Sequence, residues 1–296
     1  MEISIAGPRN FSFRRTVASH GWYGLLPFEF NEAEWKLIRV LHPAGSHPLT
    51  AVITGANDSL QVSLKGRPAK RVIDAVVRDV RHIFRLNDDL EDFYGAMNGV
   101  SDFAWIAQQG AGRLLRSPTV FEDLVKSICT TNCSWALTEK MVTGLVNNLG
   151  LESGDSRRTF PTPEAMAGAS VEFYREEVRA GYRAPYLKEL ADRVASGELE
   201  VEGWLKSELP TDELKREMKR VKGVGDYAAE NLLKLVGRYD CLALDSWVRA
   251  TFARMRGRGR TTTDEKIARY YARFRSWRGL ALWCDMTKDW IVDSRQ

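Results

Sequence analysis

The chain has 296 residues, is 44% hydrophobic and 28% charged, and carries a net charge of +4. That balance excludes a disordered chain and allows a large core in two or three domains. No apolar run approaches the roughly eighteen residues of a membrane span, and "MEISIAGPRNFSF" lacks the basic-then-apolar layout of a secretory signal. A cytoplasmic location is therefore expected.

The first hundred residues alternate in the manner of strands. "LTAVITG" (49–55) and "LQVSLKG" (60–66) are β-rich runs joined by the turn sequence "ANDS", and "ISIAG" and "KLIRVLH" are further strand candidates. "AKRVIDAVVRDVRHIF" (69–84) places Val72, Ile73, Val76, Val77, Val80 and Ile83 at helical spacing. The expected fold class is α+β: an N-terminal antiparallel sheet with a helix over residues 1–95, then a larger all-helical domain over 96–296.

From about residue 88 the patterns are helical. "TVFEDLVKSICTTNCSWALTEKMVTGLVNNLG" is too long for one ordinary helix, and "TTNCS" (130–134) predicts a break, because these side chains compete for backbone hydrogen bonds. Thr162 before Pro163 reads as a helix start, Gly197 as a stop, and "TTTDE" as a capping box. Cys129, Cys133, Cys241 and Cys284 lack metal-site spacing and read as buried free thiols. His20, His42, His47 and His82 all lie in the first third, which excludes a histidine centre elsewhere. Residues 249–278 hold nine arginines and Lys266 against Asp264 and Glu265, a local balance of +8. Such a stretch suits a polyanionic partner on one face, or else a solvated arginine-rich surface.

"VKGVGDYAAENLLKLVGRYDCLALD" (221–245) admits two readings. "GVGDYA" formally matches a dinucleotide fingerprint, with Asp245 at the spacing of a ribose-binding acid. The segment leading in, "ELKREMKRVK", is charged at most positions and cannot be the buried strand that fingerprint requires. The favoured reading is helix (211–220), hairpin, helix (226–237). Gly223 and Gly225 would let Lys222 and the amides of Gly223, Val224 and Gly225 meet phosphate; an ordinary interhelical turn is the plain alternative.

In this context the chain resembles the helix-hairpin-helix (HhH-GPD) DNA glycosylases, through "SPTVFEDLVKSICTTN", "FPTPEAMA", "GYRAPYLKELA" and "VKGVGDYAAENLLKL…LDSWVRA", over about residues 112–255. The resemblance touches both the 3-methyladenine and the 8-oxoguanine branches, which carry N-terminal sheet domains. It implies double-stranded DNA with a damaged purine as partner, and a monomer associated with the nucleoid. It puts the essential aspartate at Asp245, which could equally be a helix N-cap. The lyase lysine of the 8-oxoguanine branch falls on Tyr227, which cannot form a Schiff base, so the resemblance implies hydrolysis only. Tyr227 could instead stack on a flipped base, or simply pack between helices. By position, Asn132 and Arg183 would contact the orphaned base, with a helix cap and a surface ion pair as plainer roles. Trp247 leads the pocket candidates over Trp105, Trp135, Trp277 and Trp283. Arg249 and the basic helices 256–296 would bind phosphate. Neither a cofactor nor a catalytic metal is implied, although hairpin carbonyls could hold an alkali ion. Lys222 and Ala243 replace prolines common in the family, which loosens local geometry. A lyase using another lysine, such as Lys222 or Lys140, and a non-catalytic damage-binding module are the alternatives.

Overall fold

The structure is a computed structural model that describes residues 1–257, 259–260 and 262–291. Five antiparallel strands form one sheet: β1 (Glu2–Ala6), β2 (Phe28–Asn31), β3 (Lys36–Leu41), β4 (Leu49–Ala56) and β5 (Ser59–Leu64), in the order β1-β5-β4-β3-β2. Alternation sets the register. Val62, Ile53 and Leu37 are directly opposite one another on neighbouring strands and are fully buried. The strand β2 was not foreseen. It is short, and its pairing with β3 rests on a register that no single segment reveals. Helix α1 (Phe13–Val17) lays Phe13 across Gly55 of β4, where any side chain would collide with the ring. Helix α2 (Lys70–Ile83) packs its Val72, Val76, Val80 and Ile83 face inward, as the periodicity predicted.

The helical part follows: α3 (Glu91–Asn98), α4 (Ala104–Gln108), α5 (Val120–Thr130), α6 (Trp135–Leu149), α7 (Pro163–Ala167), α8 (Val171–Glu176), α9 (Ala184–Ala195), α10 (Thr211–Met218), α11 (Asp226–Leu235), α12 (Ser246–Met255), α13 (Asp264–Tyr271) and α14 (Arg278–Met286). The break at 130–134 is where the sequence puts it. Thr130 and Thr131 hydroxyls donate to the carbonyls of Ser127 and Ile128, α5 ends, and Ser134 caps α6 through the Leu137 amide. Thr162 caps α7 with Pro163 in its first turn. Thr263 is the N-cap of α13 and makes no side-chain capping bond; Thr261, three residues ahead of Asp264 in the expected capping box, lies outside the described residues.

One hydrophobic core runs from Ile5 through both parts to Met286. A buried ionic cluster joins them. Arg39 of β3 donates to both oxygens of Glu122 on α5, at 2.8 and 2.6 Å, and the Lys126 ammonium lies 2.7 Å from Glu122. The segment between α1 and β2 is stitched to the helices as well. The Trp22 indole donates to Asp123 at 2.7 Å, the Leu115 amide to the Ser19 hydroxyl at 2.9 Å, and the Trp283 indole to the Ser19 carbonyl at 2.8 Å. Among the described residues no helix is long and apolar enough to cross a membrane.

Candidate active site and nucleic-acid interface

The charged helix α10 buries only Leu214 and Met218, and acids on α11 hold it in place. Lys215 lies 2.6 Å from Glu230 and 3.0 Å from Asp226, and Lys219 lies 2.9 Å from Asp226. Between the two helices Gly223 takes a left-handed φ of +88°, and a β-carbon there would come within 3.0 Å of Tyr186 and 3.4 Å of Ile128. A side chain there would be strained twice over, by backbone and by neighbours. Gly225 differs. Its φ of −89° and ψ of −174° are open to any residue, and no atom stands where a side chain would begin. Gly225 is the N-cap of α11 and supplies no side-chain acceptor, so the first-turn amides keep their donors for a ligand. Lys222 is exposed and pairs with Glu189 at 2.6 Å.

The hairpin stands at one edge of a cleft of about 1340 Å³. Eight of the ten expected site residues line it: Asn132, Lys222, Gly223, Val224, Gly225, Tyr227, Asp245 and Trp247. Asn132 stands between α5 and α6 with a left-handed φ of +46°, a conformation asparagine tolerates better than most residues. Asp245 caps α12, accepting the Val248 amide at 2.7 Å. The cap fixes the carboxylate at a helix N-terminus while the residue still lines the cleft. Burial, then the Asp245 charge and a hydrogen bond to it, push the Tyr227 hydroxyl well above the usual phenol range. The phenol therefore stays protonated beside the carboxylate. Trp247 is exposed and packs against Trp283 and Trp290, with ring centroids 5.8 and 5.6 Å away. Trp135 and Trp283 also reach the cleft, whereas Trp277 stacks on Tyr239 in the core and Trp105 lies outside the cleft.

Several expected contacts go elsewhere. Arg183 is only 3% exposed and is absent from the cleft lining. It donates to the Thr131 carbonyl and stacks over Tyr182, and so braces the loop that carries Asn132. Arg249 is held by both oxygens of Asp264, at 2.7 and 2.9 Å. Of the other arginines in 249–278, Arg256 bridges Asp285 and Asp102, and Arg278 donates to the Asp240 carbonyl. Arg254, Arg260, Arg269 and Arg275 are exposed with no ion pair among the described residues; Arg258 lies outside them. The basic stretch thus spends part of its charge on the fold. Ala243 is not a loosened proline site either. Its φ is +54° and its amide donates to Glu230 at 2.6 Å, and proline can do neither.

Two parts of the cleft escaped the sequence reading. One wall is His20, Gly21, Trp22 and Tyr23, from the N-terminal part. The exposed Trp135 ring covers Gly21, which has no room for a side chain, and burial lowers the His20 pKa to about 4, leaving a neutral ring. His20 and Trp22 lie 95 and 101 positions from their partners Leu115 and Asp123, and no local pattern marks them. The second is Lys234, in the midst of "NLLKLV" on α11. It lines the cleft yet is 2% exposed, and its ammonium donates to the Leu242 carbonyl at 3.2 Å. Burial, opposed by the charges of Glu230, Cys241 and Asp245, lowers its pKa to about 8. A lone lysine inside an apolar helical face was the available signal.

Among the described residues no group of His, Cys, Asp and Glu could hold a metal ion. The family model described as HhH-GPD superfamily base excision DNA repair protein matches residues 125–275, just over half of the chain. A probable N-glycosylase/DNA lyase of Methanothermobacter thermautotrophicus is 24% identical over 235 residues, 71% of this chain and 73% of that one. The 3-methyladenine DNA-glycosylase of Archaeoglobus fulgidus superposes with a TM-score of 0.75 at 21% identity, covering 99% of both chains. The 8-oxoguanine glycosylase/lyase of Clostridium acetobutylicum gives a TM-score of 0.74 at 20% identity, covering 96% of this chain and 95% of that one. The two likenesses establish a shared fold. With the uncapped hairpin, the cleft and the capping aspartate already in view, the family match completes the assignment: the chain belongs to the HhH-GPD superfamily of base excision DNA repair proteins.

Proposed function

We propose that this DNA N-glycosylase draws a damaged purine out of duplex DNA into the cleft and hydrolyses its N-glycosidic bond without cleaving the strand. The observation that carries the reading is Asp245, fixed by the α12 cap at the cleft beside Tyr227 and one helix away from the hairpin. The uncapped amides of α11 and the exposed arginines hold the phosphate backbone. Extrusion of the nucleotide then brings the sugar to Asp245. As the N–C1′ bond lengthens, positive charge grows on the sugar, and the carboxylate stabilises it and orients the incoming water. The Tyr227 hydroxyl positions the carboxylate, and its ring is available to stack on the base.

The names of several relatives include lyase activity. In this chain the position of the family's lysine holds Tyr227, which has no amine. Lys222 is exposed and paired with Glu189, and Lys140 is exposed on α6 and absent from the cleft lining, so neither is a desolvated nucleophile. Hydrolysis is the reading these residues favour.

Asp245→Asn tests it. Asparagine caps helices as well as aspartate, so the fold is retained. Single-turnover base release should fall by at least ~10²-fold, with duplex affinity unchanged. Turnover near that of the unaltered protein would remove Asp245 from the reaction. A borohydride-trapped covalent adduct would restore the lyase reading.

A further inference from the structure

We propose that Lys234 is a specificity-determining residue: its ammonium, at the inner end of the cleft, donates to a carbonyl oxygen of the extruded base and excludes bases that carry a positive charge. The proposal rests on the glycosylase reading above and adds the class of base that the cleft accepts, neutral oxopurines over cationic N-alkylpurines.

The first argument is the hydrogen bonding of a buried ion. An ammonium has three donors, and a charge removed from water must be paired or fully hydrogen-bonded. Lys234 forms one bond, to the neutral Leu242 carbonyl, and no ion pair. The acids whose charges reach it are engaged elsewhere: Glu230 takes Lys215 and the Ala243 amide, both at 2.6 Å, and Asp245 accepts the Val248 amide at 2.7 Å. Donors therefore remain unspent on a residue that lines the cleft. With its pKa lowered only to about 8, the amine is still a cation at neutral pH.

The second argument is placement. Tyr227, Asn231 and Lys234 share one face of α11 at i, i+4 and i+7, so Lys234 is about 10 Å farther along the helix than Tyr227. The sugar is held at the Tyr227–Asp245 end, and the base extends past it toward Lys234. Asn231 donates its amide nitrogen to the Tyr227 carbonyl at 3.0 Å, which leaves its oxygen as an acceptor on the same face. A donor and an acceptor one turn apart complement the C=O and N–H of a lactam edge. Hypoxanthine and 8-oxoguanine present such an edge without net charge. An N7-alkylated purine brings a second cation to Lys234.

The test is binding to duplexes carrying one 2′-fluoro nucleotide, whose glycosidic bond resists cleavage, with hypoxanthine or 7-methylguanine as the base at pH 6.5. The unaltered protein should prefer hypoxanthine by ~10-fold or more, the equivalent of one pKa unit of charge interaction. Lys234→Met should bring the two affinities within about twofold, because a near-isosteric apolar chain replaces the cation. Lys234→Gln, a neutral donor, should also lose the discrimination while binding hypoxanthine better than Lys234→Met does. An unchanged ratio in the soluble, folded variants overturns the proposal. Failure of both variants to fold assigns the cation to the scaffold and overturns it too. A borohydride adduct that disappears in Lys234→Met would make Lys234 a nucleophile and likewise overturn it. Because no turnover is needed, an inactive protein would count against the glycosylase reading and leave this ratio readable.

Discussion

Lys126 and Lys234 are both withdrawn from solvent, at 0% and 2% exposure, and their surroundings treat the charge in opposite ways. At the junction of sheet and helices, Lys126 shares Glu122 with Arg39, and the acid is met from two sides at 2.6–2.8 Å. At the cleft, Lys234 donates to one backbone carbonyl and makes no ion pair, and the charges of Glu230 and Asp245 reach it without direct contact. A paired buried charge fixes how two parts of a fold meet. A buried charge with donors to spare is a cost to the free protein that a ligand can offset. Burial alone does not separate the two cases; the partners do.

The largest effect should come from breaking the paired site. Glu122→Gln leaves Arg39 and Lys126 buried without their counter-charge, and should cost about 3–5 kcal/mol in urea unfolding. Burial alone would raise the Glu122 pKa, but the charges and hydrogen bonds of Arg39 and Lys126 outweigh it and bring the pKa to about 2. A carboxyl depressed below its ordinary 4.5 contributes stability above that value and loses it as the pH falls toward about 2. The unaltered protein should therefore lose stability faster than Glu122→Gln between pH 4.5 and 2. Parallel acid profiles would show that the cluster is not coupled to folding.

A smaller effect sets the two lysines side by side. Lys126→Met removes a partner that Glu122 uses and should cost about 1–3 kcal/mol. Lys234→Met removes a buried charge that no ion pair holds and should cost less than about 1 kcal/mol, or stabilise. The same order in melting temperature is expected. Reversal of the order would put Lys234 in the scaffold and end the contrast.

The same contrast explains what the sequence disclosed. Local features were legible: the alternation of β4 and β5, the α2 stripe, the break at 130–134, the hairpin and the solitary Asp245 all depend on neighbours within a few residues. The N-terminal wall of the cleft was not, because Ser19 and Trp22 act through Leu115, Asp123 and Trp283, far along the chain. Charge was the other blind spot. Arg183, Arg249 and Arg256 carry the same letter as a phosphate-binding arginine, yet Thr131, Asp264 and Asp285 engage them. Lys234 was hidden in the opposite direction, since an apolar helical face invites one to count its leucines and pass over the lysine between them.

The hairpin glycines offer the finest version of the comparison. Gly223 is needed by the fold: its left-handed φ and the closeness of Tyr186 mean that Gly223→Ala should cost about 1–2 kcal/mol. Gly225 is extended with open space around it, so Gly225→Ala should cost no more than about 1 kcal/mol, the difference between glycine and alanine at an N-cap. What the second change does is place a methyl group beside the amides of α11. Duplex affinity should therefore fall in Gly225→Ala even though its urea midpoint stays close to that of the unaltered protein, whereas Gly223→Ala should lower both. If Gly225→Ala binds DNA normally, the phosphate lies farther from the α11 N-terminus than the uncapped amides imply, and the exposed arginines carry the backbone instead.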